Sequence, residues 1–210
     1  GRGRRGSQTQ FNSIALALAP SRRHHGRMRS HPTAPRRSPP LAVDPATGLI
    51  QGARQVPSPN CDDRPPGMAP DLVVLHGISL PPGEFGGPWI DRLFCNQLPP
   101  SEHPYFAEVA ALRVSSHALV RRDGEVVQYV PCHRRAWHAG VSSWQGRERC
   151  NDYSIGIELE GTDTAPYEDV QYAVAAQLVA QLCRAYPGIS PDRVVGHSDV
   201  APGRKTDPGL

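Results

Sequence analysis

Apolar and polar positions follow two periods along this chain, and the switches between them mark its elements. Leu72, Val73, Val74 and Leu75 run unbroken from Asp71 to His76, the pattern of a strand buried on both faces. Residues 154–160 alternate instead, with Ile155, Ile157 and Leu159 on one side and Gly156 and Glu158 on the other. Residues 114–120 and 125–130 flank Arg122-Asp123-Gly124, and an Asp-Gly pair accepts the positive φ of a hairpin turn. Between residues 168 and 186, Val170, Val174, Leu178 and Leu182 recur at i, i+4 with Val179 and Cys183 beside them, which predicts an amphipathic helix. Shorter helices are expected over 88–97, where Trp89, Ile90, Leu93 and Phe94 share a face behind Pro88, and over 105–112. Residues 193–197 read as a short strand. The Pro- and Gly-spaced segment after them reads as an irregular loop, as do residues 44–70. Strands with helices gathered around them give an α/β (α+β) fold, a mixed central sheet flanked by helices.

Composition alters this picture mainly at the N-terminus. The 210 residues are 38% hydrophobic, enough for one domain with its own core. Residues 1–43 carry nine Arg and no Asp or Glu, which leaves 14 basic against 20 acidic residues beyond them, a net of −6. The overall charge of +3 therefore belongs to the tail. Residues 1–43 are expected to be a disordered basic extension and residues 44–210 the folded domain. Met28 offers an internal start, so the extension is expected not to be native. A polybasic arm is the one feature suited to nucleic acid, and none is expected as a partner of the acidic folded part. The weakly apolar residues 11–19 are interrupted by Asn12 and Ser13, a poor export signal. No apolar run reaches membrane-spanning length. Five cysteines without a C-x-x-C pair argue against a disulfide framework and against a thiolate zinc site. A reduced, cytoplasmic, monomeric protein is expected.

Three residues sit oddly enough to suggest chemistry. His76 and His197 each end an expected strand, and strand ends of one sheet gather at one edge. Either alone reads as a core histidine, but together with a carboxylate they would leave a fourth zinc position open, as in catalytic zinc sites. Asp207 or Asp199 could supply that carboxylate. Glu158, opposite an aliphatic face with Gly156 clearing space beside it, suits a general base next to a metal. Glu160 reads as the exposed strand carboxylate. Lys205 is the only lysine among 22 arginines, and its compact ammonium could stabilise an oxyanion. Trp137 could stack on a sugar or peptide, and an arginine of the 147–149 segment could clamp a carboxylate. His117, His133 and His138 have no ligand-like context and are expected to be non-ligands.

The phrases that carry these residues resemble the type 2 N-acetylmuramoyl-L-alanine amidases. They are Leu75-His76-Gly77-Ile78-Ser79 onward to Gly87, Ala136-Trp137-His138-Ala139-Gly140-Val141-Ser142, Arg147-Glu148-Arg149-Cys150-Asn151-Asp152, Ile155-Gly156-Ile157-Glu158-Leu159-Glu160-Gly161, and Gly196-His197-Ser198-Asp199 through Lys205-Thr206-Asp207-Pro208-Gly209. The resemblance spans about residues 54–210. It implies the fold shared with peptidoglycan recognition proteins, and a zinc site at one edge of the sheet held by His76, His197 and Asp207. Glu158 would then activate water and Lys205 stabilise the transition state, with Arg113, Trp137 and Arg149 contacting substrate. The implied reaction cuts the amide between (1,6-anhydro)-N-acetylmuramic acid and L-alanine of muropeptides during peptidoglycan recycling. Because this fold also hosts recognition proteins, the alternative is a non-catalytic module that binds peptidoglycan fragments. Two departures stand out. Gly77 occupies a place where a polar residue such as Asn is expected, which would weaken a substrate contact. The chain stops at Leu210, three residues after Asp207, so a truncated end is expected, with Asp207 otherwise on a fraying terminus.

Overall fold

The computed structural model describes residues 40–209. The expected basic extension lies outside the described residues except at its end, where Ala42–Val43 pairs antiparallel with Ile50–Gln51. Six strands form the central sheet: β1 (Arg54–Gln55), β2 (Leu72–Ile78), β3 (Ala118–Val120), β4 (Val126–Gln128), β5 (Ser154–Glu160) and β6 (Val194–Gly196). Their spatial order is β6-β2-β5-β3-β4-β1. Only the β3–β4 hairpin is antiparallel; every other neighbouring pair in the sheet is parallel. The sheet is therefore mixed, as the sequence pattern implied. Gly124 sits at the hairpin tip with φ 87°, the conformation a glycine takes without a Cβ clash.

The helices are α1 (Trp89–Phe94), α2 (Pro104–Val109), α3 (Asp169–Ala185) and a single turn, α4 (His197–Val200). Leu178, Val179 and Leu182 of α3 pack on Val73, Leu75, Ile155, Ile157 and Leu159, so β2 and β5 present one aliphatic face to this helix. Each such buried side chain contributes roughly 1.5–3 kcal/mol. Leu93, Phe94 and Phe106 of α1 and α2 cover the opposite face over Leu119, Val127 and Tyr129. Among the described residues no helix is long and apolar enough to cross a membrane.

Four details differ from the pattern read along the chain. Residues 44–70, expected to be irregular, supply the edge strand β1 and two short paired segments, Ile50–Gln51 and Cys61–Asp62, because their backbone finds partners in Ala42–Val43, in β4 and in Arg135–Ala136. Val170 is exposed, and the inward position on the first turn of α3 belongs to Gln171. Its amide donates to the carbonyls of Val120 and Glu160, which end two strands and need donors. Its carbonyl oxygen accepts the Glu168 N–H, half of a capping box that starts the helix. Glu160 is not an exposed carboxylate but only 2% accessible. The loop after β2 and the β3–β4 hairpin close over it, with Gly86 N–H (2.7 Å) and the Arg121 guanidinium (3.4 Å) on its carboxylate. The segment after β6 is not wholly irregular, since His197–Val200 closes one helical turn before Pro202 and Gly203 end it.

Candidate metal centre

The parallel register brings the polar side chains to one sheet edge. His76 of β2 lies directly opposite Glu158 of β5, and β6 pairs Gly196 with Leu75, so His197 emerges one residue later at the same edge. Asp207 reaches them from the C-terminal loop. The backbone N–H of Ser198 donates to the Asp207 carbonyl at 3.0 Å, and the Tyr167 hydroxyl donates to the Pro208 carbonyl at 2.7 Å. Thr206 also hydrogen-bonds Asp163. These ties anchor Asp207, so a fraying position is not what the structure shows. Gly77 has a structural use as well: a Cβ there would lie 2.6 Å from the Tyr167 hydroxyl, so the glycine admits the tyrosine that anchors the loop.

His76 Nδ1 and His197 Nδ1 stand 3.0 Å apart, and Asp207 Oδ2 lies 3.4 Å from the first and 3.0 Å from the second. A tetrahedral zinc ion with bonds of about 2.0–2.1 Å has donor–donor edges of roughly 3.3 Å, so this triangle fits one. Burial holds the His76 imidazole down to about 4, against the opposing pull of Asp207. That keeps it neutral and able to donate a lone pair. Burial would raise Asp207, but hydrogen bonds with His197 and His76 outweigh it and keep the carboxylate charged. The carboxylate that lies with the two imidazoles is Asp207, not Asp199. The Asp199 carboxylate instead accepts the Gly196 N–H at 2.8 Å, capping the α4 turn.

These groups open into a cleft of about 570 Å³ lined also by Glu158, Lys205 and Trp137. Burial pushes the Glu158 carboxyl well above the usual range; the charge of Asp207 adds to the rise and the Lys205 ammonium offsets part of it. Trp137 is fixed by its indole N–H, which donates to Asp62 at 3.2 Å. The structure separates the two expected substrate arginines. Arg113 lies between Leu112 and Val114, which line the cleft, and its guanidinium donates to the carbonyls of Ala111 and Leu112. Arg149 borders a second groove, where it pairs with Asp152 at 3.1 Å.

The space beside Gly156 is not open cleft. The His138 ring fills it, and a Cβ at residue 156 would lie 2.5 Å from His138 Cγ. His138 is not among the clustered donor atoms of His76, His197 and Asp207, yet its Nδ1 lies 2.8 Å from His76 Nε2. Ala139 contacts the other histidine, its carbonyl 3.2 Å from His197 Nε2. Sequence reasoning missed this contribution. The one available signal was the position of both residues in the Trp137–Gly140 phrase.

A family profile, known relatives and a solved structure each match most of the chain. A sequence profile described as N-acetylmuramoyl-L-alanine amidase matches residues 66–210. The chain is similar to the 1,6-anhydro-N-acetylmuramyl-L-alanine amidase AmpD of Escherichia coli (strain K12), with 62% identity over 162 residues, 77% of this chain and 88% of the relative. The protein of the same name from Haemophilus influenzae is 51% identical over 162 residues, 77% of this chain and 88% of that relative. A crystal structure of a selenomethionine AmpD derivative matches with a TM-score of 0.77 at 60% identity, covering 80% of this chain and 92% of that chain.

Proposed function

Because this chain belongs to the N-acetylmuramoyl-L-alanine amidase family, we propose that it hydrolyses the amide joining 1,6-anhydro-N-acetylmuramic acid to the L-alanine of muropeptides. The observation that carries this reading is the triangle of His76, His197 and Asp207 beside Glu158 in one cleft. The two imidazoles and the carboxylate would hold zinc, which when bound supplies a Lewis acid that polarises the scissile carbonyl and makes water more acidic.

The chain's own groups account for the remaining chemistry. The Glu158 carboxylate takes a proton from the attacking water as its oxygen bonds to the carbonyl carbon. It then returns that proton to the amide nitrogen as the C–N bond breaks, releasing the lactyl carboxylate and a free L-alanine amine. Its raised pKa suits both halves of this transfer. Lys205, at the mouth of the cleft, stabilises the negative charge that develops on the carbonyl oxygen. Trp137 would stack on the substrate from the cleft wall, and Arg113 at its rim would hold a stem-peptide carboxylate. Arg149 would need a substrate long enough to reach the second groove. All these groups come from one chain, so a monomer suffices. The amidase unit would span residues 44–210, and recycling of cell-wall fragments in the cytoplasm is the role that suits such a substrate.

Mass spectrometry of anhydromuramyl-tripeptide incubated with the protein tests this directly. Free tripeptide that appears with zinc and vanishes with chelator is the expected result. Intact substrate in the presence of folded, zinc-loaded protein would favour a binding module instead.

A further inference from the structure

The rings of His76 and His197 are both met from behind by one short segment, residues 138–139. His138 and Ala139 lie between the small strands Arg135–Ala136 and Ser143–Trp144, on no regular element of their own. Their backbone is nevertheless clamped. The N–H groups of His138 and Ala139 both donate to Asn151 Oδ1, at 3.1 and 2.8 Å. The Ala139 carbonyl faces His197 Nε2 and also accepts from Arg204 at 2.7 Å. The His138 ring lies flat against Gly156, with its Nδ1 toward His76 Nε2 at 2.8 Å and its Nε2 toward Ser154 Oγ at 3.2 Å.

Tautomers follow from these contacts. A neutral His76 that presents the lone pair of Nδ1 to the metal carries its proton on Nε2. That proton can only point at His138 Nδ1, which must then be an acceptor, so the His138 proton sits on Nε2 and points at Ser154. His197 is settled more simply, since the Ala139 carbonyl can only accept and requires Nε2–H.

We propose that His138 is a positioning residue for the metal centre: its Nδ1 accepts the Nε2–H of His76 and thereby holds the His76 ring and tautomer that ligate zinc, with Ser154 as the end of the relay. This inference rests on the zinc reading above. Metal-binding histidines usually find a carbonyl or carboxylate for this purpose, and losing such a partner typically costs about 10–100-fold in metal affinity. Here the partner is a second imidazole, which works only while Gly156 leaves room for it and Asn151 holds its backbone.

Two variants of the full chain separate hydrogen bonding from packing. His138→Asn keeps an acceptor near the Nδ1 position, whereas His138→Leu fills the space without one. Zinc affinity is measured by competition with a chelator, with circular dichroism melts as the folding control. His138→Leu is expected to bind zinc about 10–100-fold more weakly than wild type, and His138→Asn to recover most of that loss. Equal weakening in both variants, or unchanged affinity in His138→Leu, would overturn the proposal while leaving the zinc site intact. A wild-type chain without zinc affinity would overturn the zinc reading and this one with it. Nitrogen-15 imidazole spectra of the zinc-loaded wild type give a test that needs no variant. A His138 proton on Nε2 is expected, and a proton on Nδ1 would refute the relay.

Discussion

Gly156→Ala is the most informative single perturbation, because one methyl group would test both the packing of β5 and the support of His76. In a strand, glycine to alanine usually stabilises by about 0.4–1 kcal/mol, through the entropy lost from the unfolded chain. Here the new Cβ would lie 2.5 Å from His138 Cγ, 2.7 Å from Nδ1 and 2.8 Å from Cδ2. Ordinary contact needs about 3.5–4.0 Å, so the ring must retreat by roughly 1 Å. Forcing that much volume into a packed site costs about 1–3 kcal/mol. For a chain of this size it lowers Tm by roughly 2–12 °C. The same retreat would stretch the 2.8 Å contact with His76 Nε2 past the limit of a good hydrogen bond, about 3.2 Å.

Thermal melts of the chelator-treated protein read the packing cost, and chelator competition reads zinc affinity, expected to fall by about an order of magnitude. The cause is isolated by repeating Gly156→Ala in a His138→Ala background, where no ring lies over the strand. There the alanine should be neutral or mildly stabilising, a coupling of about 1–3 kcal/mol between two touching residues. A Gly156→Ala protein that melts at or above wild type and holds zinc as tightly would refute the reasoning, since the ring could not then lie where the structure puts it.

Further outcomes are expected at four positions. Glu158→Gln should retain zinc by metal analysis yet lose at least ~10²-fold in turnover, and normal turnover would remove Glu158 from its proposed role. His197→Ala, by contrast, should purify without stoichiometric zinc, and full metal occupancy would contradict its place in the donor triangle. Tyr167→Phe removes the hydroxyl that satisfies the Pro208 carbonyl; a loss of about 1–3 kcal/mol and faster zinc dissociation should appear together, in melts and in stopped-flow chelation. Stability should also depend on pH through His117, whose Nδ1 accepts the Gly156 N–H while its Nε2–H donates to the Arg134 carbonyl, so only the neutral ring fits. Burial first, then the charge of Arg64, holds its pKa down to about 3, well below the 6.5 of an unfolded histidine. Between those values the unfolded chain binds the extra proton. Its contribution is therefore complete above pH 6.5 and is lost as pH falls toward 3, by up to about 1.4 kcal/mol per pH unit. Urea titrations of chelated protein from pH 7 to pH 5 that show no decline would contradict this assignment.

The edge of the site was legible because strands convert sequence position into space. An apolar run that ends in His76 and an alternating run that carries Glu158 can pair in parallel in few registers, and the one adopted sets the two residues side by side. Asp207 came within reach for a different reason: the residue pattern left it level with Asp199, the resemblance of its motif favoured it, and the α4 turn supplies the physical ground by spending Asp199 on capping. The inward position of Gln171 and the burial of Glu160 were invisible because both follow from what a neighbouring loop or carbonyl requires, not from the period of their own element. His138 is the extreme case. It lies in a loop without periodicity, its backbone is set by Asn151, and the space for its ring is set by Gly156. Each of these residues alone reads as unremarkable, and Gly156 reads as room for a substrate. Only the pairing of β5 with β2 puts the glycine under the ring and the ring against His76, so a support of this kind is a property of three segments together and of none of them separately.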